Sequence, residues 1–136
     1  MSKTAALAEF LGCEGYEDSI EQSRYNDCLY EAEGGEYYVF TDEEADEECA
    51  RCIADSLWAF NAGFLSSMTG IGEKVFNSLA QLSEDANDAV RALIDASCGF
   101  DDFVESAISA DGRGHFLATY DGEEHSVGDF YIYWIN

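Results

Sequence analysis

The sequence predicts an α+β fold, with a helical middle and a β-hairpin on either side. Apolar residues recur in steps of three and four from about residue 41 to residue 109, which is typical of helices. Runs with strand character lie outside that region, at 29–40 and 129–134. The sequence contains no proline, no linker and no internal repeat, so we expect a single domain over 1–136.

Local signals define the N-terminal elements. Ser2 is a suitable cap for a short helix over 3–11, and Gly12 is typical of a helix end. Residues 13–27 are polar, and we expect them to be irregular. The stretch "CLYEAEGGEYYVF" predicts a hairpin, because Gly34-Gly35 accepts the positive φ angles of a tight turn.

The helical middle begins at Thr41. Glu44 lies three positions later, which is the spacing of a capping box, and the acids that follow suit the positive end of a helix. Apolar residues continue this helix to Met68 or to a break near 61–63. Three more helices are expected, over about 73–82, from after Ser83 to about Ser97, and over about 101–109, with turns at Gly70, Gly72 and Gly99.

The C-terminal segment, "GHFLATYDGEEHSVGDFYIYWIN", changes to a strand-like composition. Asp121-Gly122 predicts the turn of a second hairpin, and a last strand is expected over 129–134. The two hairpins can then join in one small antiparallel sheet. The helical middle, of about four helices, would connect them.

The charge balance limits the function classes. The chain has 29 acids against six bases and a formal net charge of -23. We therefore expect no direct binding to nucleic acid and none to an anionic membrane surface, since both need Lys and Arg. Adaptation to high salt would also explain the charge, but five cysteines and 14% aromatic residues fit that explanation poorly.

The start, "MSKTAALAEFLG", lacks the long apolar run of a secretion signal. No stretch approaches the roughly 20 apolar residues of a membrane span. An odd number of cysteines, five, favours reduced thiols over a disulfide framework. These features predict a cytoplasmic protein.

The densest charge lies in "TDEEADEE", residues 41–48, with six carboxylates in eight positions. On a helix, the rows Glu43–Glu47 and Glu44–Glu48 repeat negative charge about 5–6 Å apart, close to the spacing of phosphates along a strand. A solvated face with a well-capped N-terminus is the simpler interpretation. The alternative is a charged surface that binds the basic groove of a nucleic-acid-binding protein. The candidate partner-binding carboxylates are Glu43, Glu44, Asp46, Glu47, Glu48 and Asp55, and then Asp121, Glu123 and Glu124.

Two other groups of residues suggest chemistry. Cys49 and Cys52 have CxxC spacing, but both fall on the apolar stripe of a helix, so core packing is favoured. The segment "DGRGHFLATYDGEEH" combines Asp111 and Asp121 with two histidines. A hairpin could place its histidines across from each other for metal binding or acid–base work. Structural turns are favoured, because no HExxH or calcium-loop pattern is present. We expect no catalytic residue, no metal and no cofactor.

The two β regions are unusually aromatic. In adjacent pairs such as Tyr37-Tyr38 and Tyr133-Trp134, one side chain should face outward. Core packing is the ordinary use of such residues. An exposed aromatic residue beside carboxylates would also anchor an interface, and Trp134 is the candidate. An alternative function is therefore docking on a host protein through the aromatic hairpins.

Two stretches, "YYVFTDEEADEECARCIADSLWAFNAGF" and "DGRGHFLATYDGEEHSVGDFYIYWIN", resemble a family of small acidic proteins encoded by bacteriophages and similar elements. The first has the family's strand–TDEEADE–helix pattern. The second is similar to its usual ending of DGRGH, YDG-E and a YIYR-N-like close, with Trp134 where the family usually has Arg. The family has no settled activity, so the resemblance implies a phage origin and a location in the host cytoplasm.

That origin bears on function by analogy alone. Small acidic phage proteins include DNA mimics that block restriction enzymes, CRISPR effectors and uracil-DNA glycosylase. The resemblance thus implies a non-enzymatic inhibitor of the anti-CRISPR or anti-restriction type. Its expected partner is a host nucleic-acid-binding protein, a CRISPR effector or a restriction enzyme, with a basic groove.

Overall fold

A computed structural model describes residues 1–13, 15 and 17–136. This part of the chain contains seven α-helices and one five-stranded antiparallel sheet, which confirms the predicted α+β class. The chain divides into two compact units, one of Met1–Cys49 with Asp111–Asn136 and the other of Ala50–Ala110. The single domain expected from the sequence stays a prediction.

The first unit contains the sheet. The strands are β1 (Glu21–Gln22), β2 (Leu29–Ala32), β3 (Gly35–Thr41), β4 (His125–Val127) and β5 (Phe130–Trp134). Their spatial order is β1-β2-β3-β5-β4. Strands β3 and β5 run antiparallel, with pairs from Tyr37 and Trp134 to Thr41 and Phe130, so the N-terminal and C-terminal hairpins join in one sheet as expected.

The N-terminal hairpin turns one residue earlier than predicted. Glu33 and Gly34 both have positive φ, 51° and 79°, and they form the turn. Gly35 belongs to β3, is buried, and pairs with Ala32. A side chain at Gly35 would meet the rings of Tyr37 and Trp134 at 3.1 Å, so this glycine makes room for the aromatic rings of its own strand and of the neighbouring β5.

The C-terminal hairpin lies later than predicted, and the turn expected at Asp121-Gly122 is not its turn. Residues after Gly112 form a short helix, α7 (Arg113–Leu117), whose Leu117 is buried. The hairpin turns instead at Gly128-Asp129, between β4 and β5. The two histidines do not lie opposite each other, as a hairpin at Asp121-Gly122 could have placed them. His115 lies in α7, and His125 lies in β4, where it pairs with Ile132 of β5.

Helix α1 (Lys3–Leu11) has the predicted bounds and caps. The Ser2 hydroxyl accepts a hydrogen bond from the N–H of Ala5 at 3.0 Å, and Gly12 has the left-handed φ of 72°. The inner face of α1 packs against the sheet. The buried core of this unit contains Leu7, Ala8, Ile20, Tyr30, Ala32, Tyr37, Val39 and Ile132.

Helix α2 (Asp42–Asp55) starts where predicted and ends before the predicted break. Its end is fixed from a distant part of the sequence, because the Asn87 side chain donates to the Ala54 carbonyl at 2.7 Å. The same side chain accepts a hydrogen bond from the N–H of Trp58 at 3.2 Å. Helix α3 (Ala62–Thr69) then begins with Asn61 as its cap.

The rest of the second unit contains α4 (Glu73–Ala80), α5 (Asn87–Asp95) and α6 (Phe100–Asp111), close to the predicted helices. Phe103 is buried and contacts the rings of Phe60 and Phe64 at centroid distances of 5.2 and 5.4 Å. Val75 and Leu82, two apolar residues of the predicted helix over about 73–82, are exposed rather than buried. In the described residues, no helix is both long and apolar enough to cross a membrane.

Candidate functional site

The start of α2 has the predicted capping box. The N–H of Glu44 donates to Thr41 Oγ1 at 3.2 Å, and the N–H of Thr41 donates to Glu44 Oε1 at 2.8 Å. This reciprocal pair satisfies two backbone donors that a helix start would otherwise leave without partners. It also fixes where the acidic first turn projects from the end of β3.

Glu44 has further partners in the first unit. Lys3 Nζ lies 2.8 Å from its Oε1, and the Cys28 thiol donates to its Oε2 at 3.4 Å. Partial burial alone would raise the pKa of Glu44, but the hydrogen bonds from Lys3, Thr41 and Cys28 outweigh it and lower the pKa to about 2. The charge of Glu44 therefore stabilises the fold, and it is less available to a partner than an exposed carboxylate.

The lowered pKa predicts a specific loss of stability in acid. A group with a depressed pKa in the folded protein contributes stability above its usual pKa of 4.5, and that contribution disappears as pH falls towards about 2. We expect the native protein to be more stable to urea than Glu44→Gln at pH 6. The free energies of unfolding of the two proteins should converge as the pH falls from 4.5 to about 2. Glu47→Gln, which removes an exposed charge one turn later, is the control. Parallel pH profiles for the native protein and Glu44→Gln would contradict the assignment.

Arg113, in the DGRGH segment, organises a group of acids. Its side chain is only 10% exposed. Its Nη1 lies 2.9 Å from Asp42 Oδ1 and 3.0 Å from Asp46 Oδ1, and its Nε lies 2.8 Å from Glu124 Oε1. The guanidinium carbon lies 4.7 Å from the ring centre of Tyr131. One cation thus connects the first turns of α2 with α7, β5 and the segment before β4.

Glu124 also accepts a short hydrogen bond from the Tyr133 hydroxyl. Burial, together with this carboxylate, raises the pKa of Tyr133 well above its usual range. Burial would lower the pKa of Arg113, but the hydrogen bonds to Glu124 and Asp42 and the electrostatic influence of Tyr133 raise it overall. Arg113 therefore stays charged and Tyr133 stays neutral at any physiological pH.

The glycines of "DGRGHFLATYDGEEH" have a packing role. A Cβ at Gly114 would lie 2.5 Å from the Gly122 carbonyl oxygen, so the backbones of α7 and the Asp121-Gly122 turn approach more closely than any side chain permits. Gly112 and Gly122 have φ of 83° and 72°, which favour glycine. The structural interpretation of this motif therefore has direct geometric support. Its two halves pack against each other.

Several predicted partner-binding acids are exposed. Glu43 and Glu47 are exposed on α2, and Asp121 and Glu123 are exposed in the turn before β4. Glu48 is half-buried on α2. Asp55, also exposed, is the last residue of α2 and belongs to the second unit. In the first unit, Glu43 and Glu47 lie in the first two turns of α2 beside Asp42 and Asp46, and Arg113 contacts Asp42 and Asp46. Glu124 contacts the same arginine from the segment before β4.

Asp42 and Asp129 belong to the same acidic surface, although the sequence reasoning did not select them. Both line an open depression of about 490 Å³, together with Glu43 and Tyr131. The dipeptide Gly128-Asp129 is itself a turn signal, and it forms the turn between β4 and β5. That turn was predicted at Asp121-Gly122 instead. Arg113 has no sequence signal of this kind, because its three carboxylate partners depend on the fold.

Trp134 is half-buried rather than a freely exposed anchor. Its ring stacks on Tyr37 at 5.7 Å and on Tyr120 at 4.0 Å, with interplanar angles of 22° and 25°. Its Nε1 donates to the Asn136 carbonyl at 3.0 Å. Tyr120 caps the stack and is 61% exposed, so it is the member of this cluster most accessible to a partner.

The cysteines and histidines form neither a disulfide nor a recognisable metal centre in the residues that the structure describes. Cys49 is buried, as its position on the apolar stripe predicts. Its sulfur lies 4.0 Å from the Arg113 carbonyl oxygen. His125 lies 3.5 Å from Asp121 and packs against the Phe10 ring at 4.5 Å.

Comparison with protein-family models, with curated proteins and with solved structures finds no match to this chain. The resemblance to the phage-encoded family stays a prediction. Inferences about function therefore depend on the chemistry of the surfaces described above, of which the acidic surface at the start of α2 is the most distinctive.

Proposed function

We propose that this protein is a non-enzymatic, phage-encoded inhibitor that occupies the basic nucleic-acid groove of a host defence protein. The observation that carries the proposal is the group of carboxylates at the start of α2 and in the neighbouring hairpin turn. Several project from a rigid helix, and Arg113 holds others in place. These carboxylates are Asp42, Glu43, Asp46, Glu47 and Asp129.

A groove that binds phosphates would also bind carboxylates that the fold already holds in fixed positions. Acids three or four positions apart on a helix lie about 5–6 Å from each other, which is close to the phosphate spacing of a strand. Arg113 neutralises only part of this charge, since one guanidinium contacts three carboxylates. The net charge of -23 adds a long-range attraction that would accelerate association with a basic partner.

The kind of target follows from the resemblance and from charge complementarity. A phage origin favours a restriction enzyme or a CRISPR effector, both of which bind nucleic acid through Lys- and Arg-rich grooves. Such a complex would weaken as salt rises, because the partner's cations recover their counterions. Nucleic acid would compete for the same groove.

Charge reversal tests the proposal. The variant Glu43→Lys/Glu47→Lys changes two exposed acids that are four positions apart and do not contact Arg113. Used as bait in a pull-down from phage-susceptible host cells, the native protein should retain a nucleic-acid-binding protein that leaves at moderate salt. The reversed variant should bind that protein at least about tenfold more weakly.

The matched control is Asp101→Lys/Glu105→Lys. It makes the same change in charge at the same spacing, with both residues exposed and the first of them in the first turn of α6. It alters the net charge equally, so any difference between the two variants reports position rather than total charge. Equal retention of the partner by all three proteins would exclude the α2 surface.

A second candidate function is docking through the aromatic end of the sheet. The observation that favours it is Tyr120, which is exposed and stacked on Trp134. Exposed aromatic residues of this kind often anchor interfaces. In the same pull-down, this function would give a complex that survives high salt, is unaffected by Glu43→Lys/Glu47→Lys, and is lost on Tyr120→Ala.

A further inference from the structure

Lys3, Cys28 and Glu44 form a three-membered cluster that the proposed function does not use. Lys3 Nζ lies 3.2 Å from Cys28 Sγ and 3.0 Å from Glu44 Oε2, and the sulfur lies 3.4 Å from the same oxygen. The three side chains come from α1, the segment before β2, and α2. Each member therefore contacts both of the others.

We propose that Lys3 and Cys28 are a site of oxidative modification, where dioxygen joins the Lys3 nitrogen and the Cys28 sulfur through a single bridging oxygen atom. The fold already holds nitrogen and sulfur 3.2 Å apart. Two atoms bonded to one oxygen lie closer than that, so the bridge requires only a small approach of the two side chains. Both residues are half-buried, which limits competing reactions with larger thiols and leaves the site reachable by a small oxidant.

The chemistry balances with dioxygen as the only oxidant. The Lys3 nitrogen and the Cys28 sulfur each give up two electrons, and dioxygen accepts all four. An N–O bond and an O–S bond form, while the O–O bond, one N–H bond and the S–H bond break. One oxygen atom becomes the bridge, and the other leaves as water with the two hydrogen atoms.

Glu44 positions both reactants. The Lys3 ammonium must lose one proton to solvent before its nitrogen can react, and its hydrogen bond to the Glu44 carboxylate holds that nitrogen beside the sulfur. Glu44 also accepts the hydrogen bond of the Cys28 thiol, which orients the sulfur towards the nitrogen. A third group that contacts both reactants distinguishes this cysteine from Cys49, which lies against a backbone carbonyl.

The modification would change both covalent structure and charge. It would join α1 to the segment before β2 and close a loop between residues 3 and 28, which restricts the unfolded chain. It would also remove one of the six basic charges of the chain, because a nitrogen bonded to oxygen is no longer strongly basic. Glu44 would then lose its cationic partner.

Peptide mass spectrometry tests the proposal on the full-length protein. Cleavage before aspartate leaves Lys3 in fragment 1–17 and Cys28 in fragment 27–41, and the second fragment contains no other cysteine. After incubation in dioxygen-saturated buffer, we expect the two fragments to be linked, with a mass gain of one oxygen less two hydrogens. Dithiothreitol should separate them, and the midpoint of thermal unfolding should rise with the link and fall after reduction.

Two variants assign the link and a third is the control. Lys3→Arg keeps the cation beside Glu44 but removes the amine, and Cys28→Ser removes the sulfur, so both should abolish the linked fragment. Cys98→Ser, at a half-buried cysteine of the second unit, should leave it unchanged. Recovery of the fragments only as separate peptides would overturn the proposal, as would a link that persists in Lys3→Arg or that lacks the oxygen atom.

Discussion

Replacing Gly114 with alanine is expected to lower the free energy of unfolding by about 3 kcal/mol, which is large for the addition of one methyl group. The new Cβ would lie 2.5 Å from the Gly122 carbonyl oxygen, 2.9 Å from the Glu123 carbonyl carbon and 3.0 Å from the Glu124 nitrogen. All three are backbone atoms, so no side-chain rotation relieves the clash. Urea denaturation followed by far-ultraviolet circular dichroism measures the loss.

Gly72→Ala is the matched control for this prediction. Gly72 has a φ of -60°, which alanine adopts readily, and no atom lies within 4 Å of the position that its Cβ would take. Its loss should stay below about 1 kcal/mol, since reduced freedom of the unfolded chain offsets a poorer helix cap. Equal losses for the two variants would show that the close approach at Gly114 does not matter for stability.

Gly114→Ala should also disturb the acidic surface. Gly114 follows Arg113 in α7, and the clash would push α7 away from the segment that contains Glu124. The hydrogen bond between Arg113 Nε and Glu124 would lengthen or break. Packing of two glycine-containing segments thus positions the cation that holds the carboxylates together.

The parts of the fold that the sequence predicted well depend on local signals. Ser2, Gly12 and the pair of Thr41 and Glu44 determine helix ends through contacts over a few residues, and the structure has those contacts where expected. The pairing of the two hairpins in one sheet was also predictable, because each presents aromatic and β-branched residues that need a partner strand.

The errors arise where distant residues decide local structure. Helix α2 ends at Asp55 because Asn87, 33 residues after Ala54, bonds to the carbonyl of Ala54. Strand β1 contains only Glu21 and Gln22, both exposed, so it has no hydrophobic alternation to detect. The early part of the C-terminal segment is a helix, and no nearby capping signal revealed it.

The same distinction applies to the candidate site. The sequence reveals how many carboxylates lie on α2, and their spacing on the helix follows directly. It does not reveal which of them have internal cations. Lys3 is 41 residues from Glu44, and Arg113 is 67 residues from Asp46. Only the fold separates the acids that stabilise the protein from those that a partner can reach.

Replacing Arg113 with methionine is expected to lower the free energy of unfolding by about 2–3 kcal/mol at low salt. Methionine fills much of the same volume, so the loss reports charge and hydrogen bonds more than packing. Asp42, Asp46 and Glu124 would then face each other without their shared cation, in a chain whose net charge is already -23. The expected loss is moderate because Asp42 and Asp46 are well exposed and water screens their charges.

Measurements at several salt concentrations, and a control variant at a second arginine, separate the contribution of charge repulsion from that of the lost hydrogen bonds. Added salt should restore part of the stability of Arg113→Met, because it screens the repulsion but does not replace the hydrogen bonds. Arg91→Met is the control, since the Arg91 side chain is 41% exposed, pairs with one acid, Asp95, at 3.1 Å, and lies over the Phe100 ring. That variant should lose about 1 kcal/mol or less. If both variants lost the same stability at every salt concentration, Arg113 would be an ordinary surface cation, and the acidic surface would have no internal organiser.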